Sequence, residues 1–230
     1  MMNKTIWMCW FQGENDTGMP PLNQECIKKW RQLNPGWQVN ILSNKTIANY
    51  VPKYFDIIKE SKFDRNLVAK SELIRLLLLN QYGGIWADAS VYPMLPLDHF
   101  IYNILNDTGF FAYRFKKRSY RREIASWFLA ANSQRHYLIK AWLDEFIDDF
   151  LFGPLDWNTG KIRGNVVNPS KYFEAHKALT RLYDRDDRIK YTIDNMVQID
   201  EKIPHSALSD WSNRLPSYLY KRPKKQLLKS

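Results

Sequence analysis

The sequence predicts an α/β fold in one domain spanning residues 1–230, and three observations carry that reading. Strand-like and helix-like segments alternate from the start of the chain. A long leucine-rich helical segment ends at a glycine pair and leads at once into a short apolar strand. Hydrophobic residues make up 45% of the 230, enough in a chain of this length to bury a sizeable core.

Lys4 to Phe11 reads as a buried first strand. "GENDTGMPP" then supplies turn residues, and Pro21 suits a helix start. Leu22 to Leu33 is helical, with Cys26, Ile27 and Trp30 on one stripe, and "NPG" ends it. "WQVNIL" alternates and is rich in strand formers, and Asn44 is placed to cap a short helix. The longest helix runs from about Asp64 to Gln81. Leu67, Val68, Ser71, Ile74, Leu78 and their neighbours give it a wide apolar face, and Gly83 is placed as the left-handed residue that ends it. Ile85 to Ala87 form the next strand, with Asp88 at its carboxyl end, the edge where open α/β sheets bind ligands.

"GFFAYRF" and "SWFLAA" read as further strands, and "HYLIKAWLDEFIDDFLF" as an amphipathic helix whose Asp144, Glu145, Asp148 and Asp149 form a solvated face. "PSKYFEAHKALTRLY" is helical, with Pro169 near its start. From Asp184 the pattern weakens: "YTIDNMVQI" is strand-like and the tail, about 218–230, is irregular and basic. No internal repeat or low-complexity tract is present.

A formal charge of +10 implies an anionic partner. Two basic clusters stand out: Arg114, Lys116, Lys117, Arg118, Arg121 and Arg122, and then Lys221, Arg222, Lys224, Lys225 and Lys229. Cys9 and Cys26 make no metal-type pair, which supports neither a disulfide framework nor a zinc site and suits a reducing cytoplasm. "IWMCWF" is too short and too Trp-rich for a signal peptide, and no run reaches the roughly 20 apolar residues of a membrane span.

Glu72 and Arg75, three apart on the long helix, share one face near its end. With Asp88 after the turn, two carboxylates and a guanidinium can converge on one cleft. The same spacing also suits an ordinary intrahelical ion pair plus a capping Asp.

The full string "AKSELIRLLLLNQYGGIWADASV" resembles the central motif of capsular polysaccharide synthesis glycosyltransferases, which are related to Och1-type mannosyltransferases and more distantly to large clostridial toxin glucosyltransferases. "TIWMCWFQG", "KKWRQLNPGWQVNIL" and "SWFLAANSQRHYLIKAW" are similar to the flanking segments, so the resemblance covers roughly residues 4 to 145. It implies a GT-A-like, Rossmann-like nucleotide-sugar-binding domain with a mixed central sheet flanked by helices, and a retaining hexosyltransferase. Ser71, Arg75, Gly83 and Gly84 match the family positions. Glu72 stands for an Asp and Trp86 for a Tyr. Asp88 matches the first Asp of the DXD signature, whereas Ser90 replaces its last Asp.

What the resemblance implies for the site follows residue by residue. Asp88, Arg75 and Glu72 carry catalysis; Trp7, Ser71, Gly84, Asn132 and Trp211 join Arg75 and Glu72 in donor binding, with Trp7 by the base, Asn132 at the cleft floor and Trp211 closing over the diphosphate together with His205 and Ser209. His99 and His136 are structural or exposed. The donor is a UDP- or GDP-sugar and the acceptor a glycan or a polyprenyl-diphosphate-linked saccharide. Charge building on a departing diphosphate must be met by a divalent cation or by positive side chains. Mn²⁺ or Mg²⁺ needs only one or two protein carboxylates when phosphates complete its shell, so Asp88 with Ser90 is the expected metal pair.

The basic tail, interleaved with Tyr218, Tyr220, Leu227 and Leu228, suits an anionic membrane surface, placing the protein in the cytoplasm or on the cytoplasmic face of the inner membrane. Two other readings stay open. A nucleic-acid-binding protein would explain the charge, but no RRM, KH or helix-turn-helix signature is present, so no nucleic acid is expected. A sugar-nucleotide-binding homologue without activity would explain Ser90.

Overall fold

A computed structural model describes residues 2–60, 66–105, 107–115, 122–152, 155–156, 161–162, 174–206 and 219–221. In chain order the elements are β1 (Thr5–Cys9), α1 (Pro21–Leu33), β2 (Gln38–Leu42), α2 (Ile47–Tyr50), α3 (Lys53–Glu60), α4 (Leu67–Tyr82), β3 (Gly84–Ala87) and β4 (Val91–Pro93). Then follow α5 (Ile101–Leu105), β5 (Phe110–Arg114), β6 (Ile124–Ala131), α6 (Tyr137–Phe152), β7 (Leu155–Asp156), β8 (Lys161–Ile162), α7 (Glu174–Arg185), α8 (Asp187–Asn195), α9 (Lys202–Ser206) and β9 (Leu219–Lys221).

Five strands form a mixed sheet in the order β2-β1-β3-β6-β5. β2, β1 and β3 run parallel, while β6 is antiparallel to both β3 and β5. The carboxyl ends of β1, β3 and β5 and the amino end of β6 therefore share one edge. Alternation along each strand divides the core between the two faces. Ile6, Met8 and Ile85 pack with Trp30 and Phe100 on one side, and Trp7, Trp86 and Leu129 pack with the leucines of α4 and with Trp142 on the other. This is the mixed, helix-flanked sheet that the sequence predicts.

Most predicted elements are in place, with four differences. Thr46, not Asn44, precedes the short helix α2, and its hydroxyl accepts from the Ser43 amide instead of capping the helix. "YTIDNMVQI" is mainly helical: Asp186 caps α8 by accepting from the amides of Arg188 and Ile189, and Ile189, Thr192 and Ile193 bury a helical stripe. Glu145 is not on the solvated face of α6; it is buried against α7, accepting hydrogen bonds from Arg181 (2.7 Å) and Arg185 (2.5 Å). The tail is not wholly irregular, because Leu219–Lys221 pairs antiparallel with β4 and Leu219 is fully buried.

Of the first basic cluster, Arg114 is held by Asp194 (2.7 Å) and by the carbonyl of Ile193 (3.0 Å), and Arg122 stacks over Phe115. Lys116 to Arg121, Pro169 and the tail beyond Lys221 lie outside the described residues.

Candidate active site

The helix that carries the site is locked at both ends. The Asn66 side chain accepts from the amides of Val68 (3.0 Å) and Ala69 (3.1 Å), and the Gly83 amide closes the last turn on Leu79. Gly83 and Gly84 adopt φ of +65° and +87°, a region open to glycine at little cost. A Cβ on Gly84 would lie 2.6 Å from the Thr5 carbonyl oxygen. Its role is therefore close approach of β3 to β1, at the end of the strand remote from Asp88. The structure corrects the donor-binding assignment of Gly84 on that ground.

At the other end of β3, Arg75 reaches out of α4 into a dense polar network. Its guanidinium donates to the Ser126 carbonyl (2.5 Å), to Ser71 Oγ (3.2 Å) and to Asp88 Oδ1 (3.3 Å), and lies 4.9 Å from the Trp86 ring centre. Trp86 Nε1 donates to the same Asp88 oxygen at 3.0 Å. Two donors thus orient this carboxylate. The turn beneath it is fixed by the Asp88 amide on the Trp127 carbonyl (2.9 Å) and the Val91 amide on the Asp88 carbonyl (2.9 Å).

Glu72 completes the convergence but faces inward. Its Oε1 accepts from Ser126 Oγ (2.8 Å) and lies 3.3 Å from Arg75 Nη1, and the residue is only 5% exposed. It holds Arg75 against β6, a positioning arrangement.

These groups line a cavity of about 510 Å³ at the shared strand edge, together with Ser71, Ser90, Trp10, Phe115, Arg122, His176 and Glu201. Besides Gly84, two predicted donor residues are not there. Trp7 is 3% exposed and packs between Tyr50 and Tyr82, donating to the Gly83 carbonyl at 3.1 Å. Trp10, just past the end of β1, lines the cavity instead, its indole N–H held by Asp16 (3.0 Å). Asn132 follows β6, which runs opposite to β3, so it emerges at the far edge, where its side chain lies against Gly109 and lines a different hollow. Trp211 and Ser209 lie outside the described residues, and His205 falls in α9. His136 is held by the Thr108 carbonyl (2.9 Å) against Phe110, and His99 is exposed.

Trp10, Ser126, His176 and Glu201 escape a sequence reading for different reasons. Trp10 carries a partial signal: alternation turns Trp7 into the core, and the aromatic just beyond the strand then stands at the cavity edge, once the strand's end is known. Ser126, His176 and Glu201 arrive from distant elements that no local spacing links to Asp88.

The electrostatics follow from burial and from the arginines. Burial pushes the Cys9 thiol up to about 12, keeping it protonated. Burial, with Arg75 and Arg122 nearby, brings the His176 imidazole down to about 3, so it is neutral at ordinary pH. Burial and then Asp200 raise Glu201, against the opposing influence of Arg122 and Lys202.

For a divalent cation, Asp88 and Ser90 offer one carboxylate and one hydroxyl at the same rim. Among the described residues no group of three or more His, Cys, Asp or Glu is placed to hold a metal ion. This donor set fits Mn²⁺ or Mg²⁺ held by few protein oxygens and completed by phosphates. It does not make a self-sufficient cage.

The family model of capsular polysaccharide synthesis proteins matches residues 1–226. Among curated proteins the chain is similar to the O-glycosyltransferase braB of Annulohypoxylon truncatum, with 32% identity over 115 residues, 46% of this chain and 27% of that protein. It is also similar to the putative glycosyltransferase HOC1 of Saccharomyces cerevisiae, with 28% identity over 42% of this chain and 24% of that protein. The initiation-specific α-1,6-mannosyltransferase of Candida albicans is 22% identical over 44% of this chain and 27% of its own length. The matched stretch thus spans about a quarter of the length of these relatives. Among solved structures, a PaToxG glycosyltransferase superposes with a TM-score of 0.49 and 16% identity, covering 84% of this chain and 72% of that one.

Proposed function

The chain belongs to the capsular polysaccharide synthesis protein family, and on that premise we propose that it is a retaining glycosyltransferase that moves a sugar from a UDP- or GDP-sugar to a hydroxyl of a glycan or a polyprenyl-diphosphate-linked saccharide. One observation carries the reading: Arg75 and Trp86 hold Asp88 at the sheet edge, in the same cavity as an aromatic residue at the end of the neighbouring strand.

The residues divide the work. Trp10 offers a ring face to the nucleobase, and its bond to Asp16 fixes the ring's edge. Arg75 supplies positive charge where the diphosphate departs, held in place beforehand by Glu72, Ser71 and the Ser126 carbonyl. Asp88 and Ser90 would hold a divalent cation, which when bound supplies further charge neutralisation at the phosphates. In the transfer itself the acceptor oxygen bonds to the anomeric carbon while the bond from that carbon to the phosphate oxygen breaks. The electron pair leaves with the diphosphate, and the acceptor's proton passes to a diphosphate oxygen.

Contact of the basic tail with an anionic membrane on the cytoplasmic face belongs to the same proposal. Among the described residues no helix is long and apolar enough to cross a membrane. Unchanged sedimentation with anionic liposomes after removal of residues 222–230 would count against that part.

A thermal-shift panel of UDP, GDP and their hexose conjugates, with and without Mn²⁺, tests the binding half of the reading. A ligand at about 100 times its Kd stabilises by about 2.7 kcal/mol. In a chain of this size that is a rise of roughly 5–11 °C. A panel without any shift would contradict the proposal.

A further inference from the structure

The strand order turns the cleft into a ruler. Along the shared edge the cavity residues run Trp10 at the end of β1, Asp88 at the end of β3, Ser126 and Trp127 at the start of β6, and Phe115 at the end of β5. Adjacent strands lie about 4.8 Å apart, so Phe115 stands two spacings, roughly 10 Å, beyond Asp88 and on the side away from Trp10. If base and diphosphate occupy the Trp10 and Asp88 positions, the transferred sugar lies over β6. Whatever receives it then faces β5.

The wall at that position is built by elements that carry none of the donor machinery. Phe115 is fixed by its amide on the Glu123 carbonyl (3.2 Å) and carries the Arg122 guanidinium 4.6 Å from its ring centre. Glu201 is fixed by its amide on the Arg114 carbonyl (2.9 Å), in a segment that also accepts the Arg114 amide at Ile199 (2.8 Å). His176 reaches the same cavity from α7. An aromatic face beside a carboxylate, a guanidinium and a neutral imidazole matches a pyranose, which has an apolar ring face and hydroxyls that donate and accept. A neutral imidazole can do both, whereas an imidazolium can only donate.

We propose that Phe115, Arg122, His176 and Glu201 form the acceptor subsite, taking a pyranoside whose ring packs on Phe115 and whose hydroxyl donates to the Glu201 carboxylate. The proposal rests on the glycosyltransferase reading, which supplies the donor's direction along the edge. Trp127, stacked on Tyr113 with ring centres 4.6 Å apart, closes the floor between the two subsites.

The test separates the two ends of the cleft. UDP and GDP affinities are measured by calorimetry, and binding of the methyl α- and β-pyranosides of glucose, galactose and mannose by saturation-transfer NMR. Wild type is compared with Glu201→Gln, Phe115→Ala and, as a donor-side control, Trp10→Ala. Loss of a hydrogen bond to a charged group is expected to weaken pyranoside binding about tenfold or more in Glu201→Gln. Phe115→Ala, which removes the ring face and its contact with Arg122 but no charged group, should weaken it in the same direction, and both should leave nucleotide affinity within about twofold. Trp10→Ala should show the reverse pattern. Equal loss of nucleotide affinity in Glu201→Gln and Trp10→Ala would overturn the assignment, as would unchanged pyranoside binding or a wild type that takes nucleotide and no pyranoside. A wild type that binds neither UDP nor GDP would instead overturn the glycosyltransferase reading.

Discussion

Replacing Arg75 with Met removes a cation that two carboxylates share while keeping most of the side chain's volume. Arg75 is 5% exposed at its side chain, Glu72 7% and Asp88 29%, so one buried and one partly buried carboxylate each lose an ion-pair partner. Removing one partner of a buried ion pair costs about 3–5 kcal/mol, mostly from the charge left behind. At roughly 2–4 °C per kcal/mol for a chain of this size, Arg75→Met should lower Tm by about 6–20 °C. If stranded charge is the cause, adding Glu72→Gln should recover a measurable part of the loss, a coupling of about 0.5–3 kcal/mol. Differential scanning calorimetry of wild type, both single variants and the double variant measures each corner of that cycle. A fall below about 2 °C in Arg75→Met, or a double variant no more stable than Arg75→Met, would refute the reasoning.

Four further outcomes follow from the same geometry. Trp10→Ala should weaken nucleotide binding about 5- to 150-fold, the range for one lost stacking contact, with a smaller loss of Tm than Trp7→Ala because Trp10 is only half-buried. Trp7→Ala should do the opposite, costing about 3–5 kcal/mol of stability through the cavity it opens between Tyr50 and Tyr82, and paired calorimetric titration and melting curves distinguish the two. Ser90→Asp should tighten Mn²⁺ binding in the presence of nucleotide, because it adds a second carboxylate to the rim, and an unchanged Mn²⁺ titration would show that residue 90 does not face the ion. His176, held neutral by burial and by Arg75 and Arg122, and His136, lowered by burial and Arg188, both have folded pKa values below that of the unfolded chain. Protons therefore bind the unfolded state first, and stability should fall as pH drops below about 6.5, by up to about 1.4 kcal/mol per pH unit for each group. Urea midpoints from about pH 7.5 to 5.5 should show a shallower fall in His176→Gln than in wild type.

The sequence made the core of the site legible because its key pieces are local. Glu72, Arg75 and Asp88 lie within 17 residues on one helix, one glycine turn and one strand, so helical spacing and strand direction suffice to bring them together. Asn132 shows where local reasoning stops. Placing it at the cleft floor required β6 to run parallel to β3, and a sequence segment does not state its direction in the sheet. Trp7 and Trp10 differ by three positions in a strand-like run, and the strand's end, the least legible feature of any element, decides which one faces the ligand. β9 is three residues long and has too few positions for a period-2 pattern to register. The α8 segment illustrates the reverse problem, since its β-branched and aromatic residues favour a strand while the Asp186 cap and the buried stripe Ile189, Thr192 and Ile193 select a helix.

Catalysis at Asp88 is the claim on which the rest depends. The most direct measurement follows release of nucleoside diphosphate from a panel of UDP- and GDP-hexoses by purified wild type and Asp88→Ala, in the presence of Mn²⁺. Wild type should turn over at least one donor, and Asp88→Ala should lose roughly 10²-fold or more of that rate, as expected for removal of a group that stabilises the transition state. A folded Asp88→Ala protein that releases diphosphate as fast as wild type would contradict the assignment, and a wild type that turns over none of the donors would contradict the proposed function.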